Sequence, residues 1–217
     1  RVDGDFFDVF SHSPRVFDVV VGDVMGKGIT AALIGAATKN QFLRAINQLL
    51  LGAQGFHLPD TLEIIRLVHR HMTSQLLELE SFVTICYLRV DLDQKVFQII
   101  NCGHPRLVHY EKKDRKCRAT LVSNMPLGLS EEAKFRSEQL SFSAGDILFL
   151  YSDGLTEARN EEQEPFGEER LIEVVTELAH LPAQPMIRAI HQQIVAFTGS
   201  RAFVDDLTCL AIKFSEN

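Results

Sequence analysis

Two long helical blocks interrupt a chain that otherwise reads as strands, and this order limits the fold more than any other feature. Apolar residues recur at helical spacing from about Gly28 to Leu51, where Ile29, Ala32, Leu33 and Ala36 continue into Phe42, Ile46, Leu49 and Leu50. A second stripe, Leu62, Ile65, Val68, Met72, Leu76 and Leu79, follows Asp60 and Glu63, which are spaced as an N-cap and its capping-box partner. Strand-like runs stand before these helices, at Phe6 to Phe10 and at 16–22. More follow them, at 82–90 and 95–101 around the turn Asp91-Leu92-Asp93-Gln94, then at 107–110, 139–142 and 147–151. The charged run Glu111 to Lys116 reads as a solvated hairpin tip, and Gly145-Asp146 as the turn joining the last two of these strands. Helices near 167–178 and 185–197 and a final strand over 207–214 close the chain. Helical blocks set apart from a strand-rich middle predict an α+β fold with helices packed outside two sheets. Both stripes are read as faces that pack on a sheet, not as a groove for a partner. A chain of 217 residues can bury one sizeable core, and no repeat or linker divides it, so a single domain over 1–217 is expected.

Four aspartates stand at the ends of strand-like runs: Asp5 in Gly4-Asp5-Phe6-Phe7-Asp8, Asp23 in Val21-Gly22-Asp23-Val24-Met25-Gly26, Asp153 in Tyr151-Ser152-Asp153-Gly154, and Asp205 in Val204-Asp205-Asp206-Leu207-Thr208. A lone aspartate at such a place usually caps a turn. Strand ends distant in sequence can converge in space, however, and clustered carboxylates repel unless a cation neutralises them. Hard oxygen donors without cysteine or histidine point to Mg²⁺ or Mn²⁺ rather than zinc. Asp23 is the first candidate. Gly26 and Gly28 free the backbone after it, and the Val24 carbonyl offers a further oxygen. The Gly-x-Gly turn also has the look of a phosphate cradle, but no Walker pattern is present and Lys27 precedes a glycine, which makes nucleotide binding the lesser reading. Asp5 and Asp8 lie three apart and face opposite sides of a strand, so Asp5 ranks above Asp8. Of the adjacent acids Asp205 and Asp206, one is expected to coordinate and the other to cap or face solvent. Two hard metals about 4 Å apart, sharing such ligands, would activate a bridging water for in-line attack on a phosphoryl group. No Gly-x-Ser-x-Gly elbow or reactive cysteine motif offers a protein nucleophile.

Composition narrows the setting. A net charge of −7 argues against a nucleic-acid binder, and no apolar run approaches the roughly 20 residues of a bilayer span. The cysteines Cys86, Cys102, Cys117 and Cys209 form no Cys-x-x-Cys pair, and three of them sit in strand-like runs as small apolar residues, which fits a reducing, cytoplasmic setting. The sequence starts at Arg1 on the threshold of a strand, so a fragment of a longer protein is expected.

Together these motifs resemble the metal-dependent serine/threonine protein phosphatases of type 2C, and most of all the bacterial branch named after stage II sporulation protein E. That branch includes the environmental phosphatases of sigma-factor partner switching. The resemblance rests on the four aspartate motifs, extended through Lys27-Gly28-Ile29 and Leu155-Thr156-Glu157-Ala158, together with Asn101-Cys102-Gly103-His104-Pro105, Pro126-Leu127-Gly128-Leu129 and Gly145-Asp146, in the family's order over nearly the whole chain. It implies a four-layer αββα sandwich of two antiparallel sheets flanked by helices, with two or more Mn²⁺ or Mg²⁺ ions held by Asp5, Asp23, Asp153, Asp205 and the Val24 carbonyl. It implies hydrolysis of phosphoserine or phosphothreonine by metal-activated water, with a phosphorylated anti-sigma-factor antagonist as the substrate class. It also implies an upstream sensory or regulatory domain, leaves a homodimer open, and gives the segment from Gly28 to Leu79 a switching role. Asp8, Asp206, Gly26 and His104 are secondary site candidates; His104 is first of all a loop histidine fixed by its backbone. Glu157 and Asn160 are read either as buttresses of the cleft or as caps.

Three departures stand out. The family's Gly-Gly-Asp is Asp3-Gly4-Asp5 here, which adds charge beside Asp5. Met25 occupies the position of the eukaryotic relatives' histidine, which leaves protonation of the leaving group without a side chain. Arg1 does not fall in the register of their phosphate-holding arginine. The alternative reading, from another class, is a catalytically weak module that binds a regulatory partner through the same fold; retention of all four aspartates favours the enzyme. A small-molecule phosphohydrolase is the third reading.

Overall fold

β-branched and aromatic runs at Val16–Val24, Val83–Asp91 and Val96–Cys102 pair side by side, as residues suited to a pleated, buried surface do. The structure is a computed structural model that describes residues 4–52, 57–199 and 205–215. The remarks above on Arg1, Asp3 and Val204 concern positions outside the described residues. The chain divides into two compact units, Arg1–His104 with Leu121–Ser141, and Pro105–Thr120 with Phe142–Asn217.

In the first unit β1 (Phe6–Ser11), β2 (Val16–Val24), β3 (Val83–Asp91), β4 (Val96–Cys102) and β7 (Glu138–Ser141) form one antiparallel sheet in the order β1-β2-β3-β4-β7. Helices α1 (Ile29–Gly52) and α2 (Thr61–Glu78) cover one face. Phe42 and Ile46 from α1 and Ile64, Ile65, Val68 and Leu76 from α2 pack with Val20, Ile85, Tyr87 and Ile100 of the sheet. Asp60 caps α2 as its spacing predicts: its carboxylate accepts from the Leu62 and Glu63 amides at 2.8 and 3.2 Å. Leu79, placed at the end of the apolar stripe by periodicity, is instead the half-exposed C-cap.

In the second unit β5 (Val108–Glu111), β6 (Lys116–Ala119), β8 (Ile147–Tyr151) and β9 (Cys209–Lys213) form an antiparallel sheet in the order β6-β5-β8-β9. Its helices are α3 (Gly154–Glu157), α4 (Glu168–Leu178) and α5 (Ala183–Phe197), and Leu171, Val175, Met186 and Ile190 pack with Val108, Phe149 and Tyr151. The fold is therefore α+β with two antiparallel sheets, each carrying helices. The run 111–116 is the tip of the β5–β6 hairpin. Gly145-Asp146 does not close a hairpin, because β7 and β8 belong to different sheets. Asp146 is a buried anchor instead, accepting from the Lys112 and Ser143 amides at 2.9 Å and meeting His109 Nε2 at 3.1 Å.

One buried charge went unmarked by sequence pattern. Asp18, in mid-β2, is fully buried. Arg89, its partner across the β2–β3 pair, donates from Nε at 2.6 Å and from Nη2 at 2.7 Å. His12 Nε2 lies 2.7 Å away, and the Tyr87 hydroxyl donates to the same carboxylate. Burial alone would raise the Asp18 carboxyl, but Arg89, His12 and Tyr87 together hold it below the usual carboxylate range. Arg89 also donates from Nη1 to the Pro59 carbonyl at 2.6 Å, so the same charge pair ties the connection between α1 and α2 to the sheet.

Candidate metal centre

Antiparallel pairing sets the first pair of acids face to face. Phe6 pairs with Gly22, and one further step of that register places Asp5 opposite Asp23. Directly opposed residues of an antiparallel pair share a face and lie close together. Asp23 does not stand beyond the strand-like run of 16–22 but within β2, whose pairing with β3 continues through Asp23–Thr84 and Val24–Val83. Gly4 runs tightly alongside. A Cβ built on it would lie 2.7 Å from the Val24 carbonyl oxygen and 2.8 Å from Asp23 Oδ1. One carboxylate, that of Asp23, and the Val24 carbonyl thus crowd a position suited to glycine, and Asp5 Oδ2, on the next residue, is buried. Hard oxygen donors of this kind suit Mg²⁺ or Mn²⁺. The donor set fits the implied ion. Gly4→Ala is expected to weaken Mn²⁺ binding by about 10-fold or more, measured by calorimetry, because its methyl group meets both donors; unchanged affinity would show that the cradle is not a ligand site.

Beyond Val24 the chain turns sharply into α1. Met25 N donates to the Phe82 carbonyl at 3.0 Å, and Gly26 and Gly28 adopt φ of +99° and +85°, where side chains are strained. Gly26 therefore acts through the backbone, and Gly28 begins the helix by accepting from the Ala32 amide at 3.1 Å. Asp8 is turned away from Asp5, with its carboxylate 3.7 Å from Lys39 of α1. Leu79 lines a groove of about 240 Å³ with Leu33, Ile34, Met72 and Leu76.

In the second unit Asp153 follows β8 and opens α3. Its carbonyl accepts from the Thr156 and Glu157 amides at 2.9 and 2.8 Å, but its carboxylate makes no capping hydrogen bond. The capping role expected of a lone strand-end aspartate is therefore filled by the backbone. Ser152 binds the neighbouring segment: its Oγ accepts from the Thr208 amide at 3.1 Å and donates to the Asp206 carbonyl at 3.4 Å. A Cβ on Gly154 would lie 2.0 Å from that carbonyl, so the motifs of Asp153 and of Asp205-Asp206 run in contact. Asp205 Oδ1 accepts from the Asp206 amide at 3.0 Å. Asn160 shapes its own loop, accepting from the Glu164 amide at 2.9 Å. Among the described residues no three histidine, cysteine or acidic side chains gather at one point, so backbone carbonyls and water would complete a coordination sphere, as they commonly do for Mg²⁺.

His104 is held as a loop residue, with its amide donating to Asn101 Oδ1 at 3.0 Å and its carbonyl accepting from Asn101 Nδ2 at 2.9 Å. Its ring, 3.1 Å from Thr84 Oγ1 through Nδ1, lies beside the Asp23 strand pair, a link that sequence pattern did not reveal. None of the four cysteines is in a disulfide. Burial pushes Cys86 up to about 12 and Cys209 up to about 11, and raises Cys102 and Cys117 as well, so all four stay protonated thiols rather than nucleophiles.

A sequence model of the family described as "Stage II sporulation protein E (SpoIIE)" matches residues 13–215. The chain is 26% identical over 214 residues to the phosphoserine phosphatase RsbU of Bacillus subtilis, covering 98% of this chain and 60% of that protein. Across the first curated relatives it matches, the chain spans between 36% and 60% of their length. Its fold is that of the SiaA-PP2C domain of Pseudomonas aeruginosa, with a TM-score of 0.83 at 20% identity over 99% of this chain and 82% of that one. It is also similar to RsbX in complex with magnesium, with a TM-score of 0.65 at 17% identity over 97% of this chain and 87% of that one.

Proposed function

Because the chain belongs to the stage II sporulation protein E family, we propose that it is a metal-dependent protein serine/threonine phosphatase in which Asp5, Asp23, Asp153, Asp205 and the Val24 carbonyl hold Mn²⁺ or Mg²⁺, two ions or more. One observation carries this reading: the Asp23 carboxylate and the Val24 carbonyl crowd Gly4, and the β1–β2 register, carried one residue past Phe6–Gly22, sets Asp5 opposite Asp23. The magnesium bound by the structural neighbour RsbX supports the choice of ion. A bound divalent ion supplies an activated water and a clamp on the phosphoryl oxygens. The chain's own residues supply the rest. The carboxylates set the ion's place, Gly26 and Gly28 with positive φ let the chain turn directly after Val24, and burial keeps the Cys86 and Cys209 thiols protonated. Met25 has no proton to give, so no side chain at that position protonates the leaving serine or threonine oxygen.

The substrate is a phosphorylated protein of the anti-sigma-factor antagonist class, a reading supported by the likeness to RsbU and by the family. The chain serves as the catalytic part of a longer regulated protein, with a sensory domain upstream, the α1–α2 segment as its relay, and a second copy as a candidate partner. Four free cysteines support a cytoplasmic setting. No helix among the described residues is long and apolar enough to cross a membrane. The test is hydrolysis of an aryl phosphate and of a phosphoserine protein with Mn²⁺ and then with chelator. Turnover that needs the metal is expected. Metal-independent turnover would reject the mechanism, and phosphoprotein binding without turnover would favour a regulatory module.

A further inference from the structure

Thr84 of β3 pairs with Asp23 of β2, partly buried, and its hydroxyl meets two groups at once. Its Oγ1 lies 3.3 Å from the Asp23 carbonyl oxygen and 3.1 Å from His104 Nδ1. A hydroxyl has one proton to donate, and a carbonyl can only accept. If the Thr84 proton goes to Asp23, the contact with His104 requires the histidine to donate from Nδ1. The neutral ring then carries its proton at Nδ1 and its lone pair at Nε2. The ring is not placed by chance. Asn101 holds the His104 amide and carbonyl together, Gly103 sits at φ +72°, and a Cβ on Gly103 would meet Pro126 at 2.7 Å. His104 is only 5% exposed, so solvent does not compete for the ring.

We propose that Thr84 and His104 are positioning residues that fix the peptide between the two donors of β2, the Asp23 carboxylate and the Val24 carbonyl, in the geometry a divalent cation needs. This rests on the metal-centre reading above and extends it to two residues that touch no ion themselves. Hydrogen bonds behind ligands set ligand orientation, and losing them typically costs 10- to 100-fold in metal affinity. The preset peptide spares the site the entropy of ordering its donors when the ion arrives.

The experiment has two readouts. The first is the tautomer of His104 in the metal-free protein, read from ¹⁵N-correlated NMR at about pH 8, above the ordinary histidine pKa. A proton at Nδ1 is expected, and a proton at Nε2 overturns the relay. The second is Mn²⁺ binding by calorimetry to the wild type, Thr84→Val, Thr84→Ser, His104→Ala and His104→Asn, with thermal unfolding as a check on folding. Thr84→Val and His104→Ala are expected to bind about 10- to 100-fold more weakly. Thr84→Ser keeps the hydroxyl and His104→Asn keeps a donor near Nδ1, so both should recover most of the loss. Equal affinity in wild type and Thr84→Val, or no recovery in Thr84→Ser, rejects the proposal. Wild-type protein that binds no Mn²⁺ rejects the metal centre itself, and the tautomer still decides the relay.

Discussion

Asp23→Asn and Asp153→Asn are each expected to abolish Mn²⁺-dependent hydrolysis of a phosphoserine substrate, by more than the roughly 100-fold that marks the upper end of a lost supporting contact. Both changes keep the shape of the side chain and remove its charge, so secondary structure and thermal unfolding should stay close to wild type. Asp23 is the more exposed to loss. It faces Asp5 across the strand pair and shares its surroundings with the Val24 carbonyl, so an amide there removes the anion and turns an N–H toward the cation. Asp153 makes no capping hydrogen bond with its carboxylate, so its replacement costs the helix start little. Asp8→Asn is the control. Its carboxylate lies 3.7 Å from Lys39 at the surface, where an ion pair is worth about 1 kcal/mol or less, and activity should change less than about 3-fold. Full activity in either Asp23→Asn or Asp153→Asn, assayed at saturating Mn²⁺, would reject the site.

The largest stability effect is expected at Arg89. Arg89→Met leaves the fully buried Asp18 with only His12 and Tyr87 as partners and frees the Pro59 carbonyl. Breaking a buried pair from one side costs about 3–5 kcal/mol, which for a chain of this size lowers the melting temperature by roughly 10 °C. Replacing both partners, as in Asp18→Leu with Arg89→Met, should cost less than Arg89→Met alone, since no buried charge is then stranded. The pair also has a pH signature. Its partners hold the folded Asp18 carboxyl below its unfolded value near 3.9, so its contribution is fully present above about pH 4 and is lost as pH falls through the folded value. Wild-type stability should therefore drop with acid below about pH 4, and Asp18→Asn should flatten that drop. Equal melting temperatures for Arg89→Met and wild type would mean that the network carries no stability.

Local chemistry was readable in advance and remote pairing was not. Asp60 announced its cap because an N-cap and the amides it serves lie within three residues, and the valine-rich β2 declared itself through composition. That β2 runs past the 16–22 stretch was not legible, because Asp23 and the glycines after it look like a turn, whereas the partner that extends the strand, Thr84, lies far along the chain. Asp18 went unnoticed for the same reason: its ligand Arg89 is distant in sequence, and an aspartate inside a valine run has no local mark of burial. A strand pattern does not say which sheet it joins, so β7 and β8 looked like two arms of one hairpin. At the site itself the aspartates were visible as motif residues. The reason for Gly4 was not, since a close approach to Val24 exists only after folding. Thr84 is one β-branched residue within a strand-like run, and its hydroxyl acquires a role only once Asp23 and His104 are placed beside it.

Paramagnetic broadening by Mn²⁺ tests the central claim most directly, because it reports which backbone amides lie near the bound ion. Substoichiometric Mn²⁺ added to ¹⁵N-labelled protein is predicted to bleach the amide signals of Val24 and Gly26 together with those of Gly154 and Asp206, at the same metal ratio. Bleaching confined to one of the two groups, or spread over surface carboxylates such as those of the Glu111 to Lys116 turn, would contradict a shared centre.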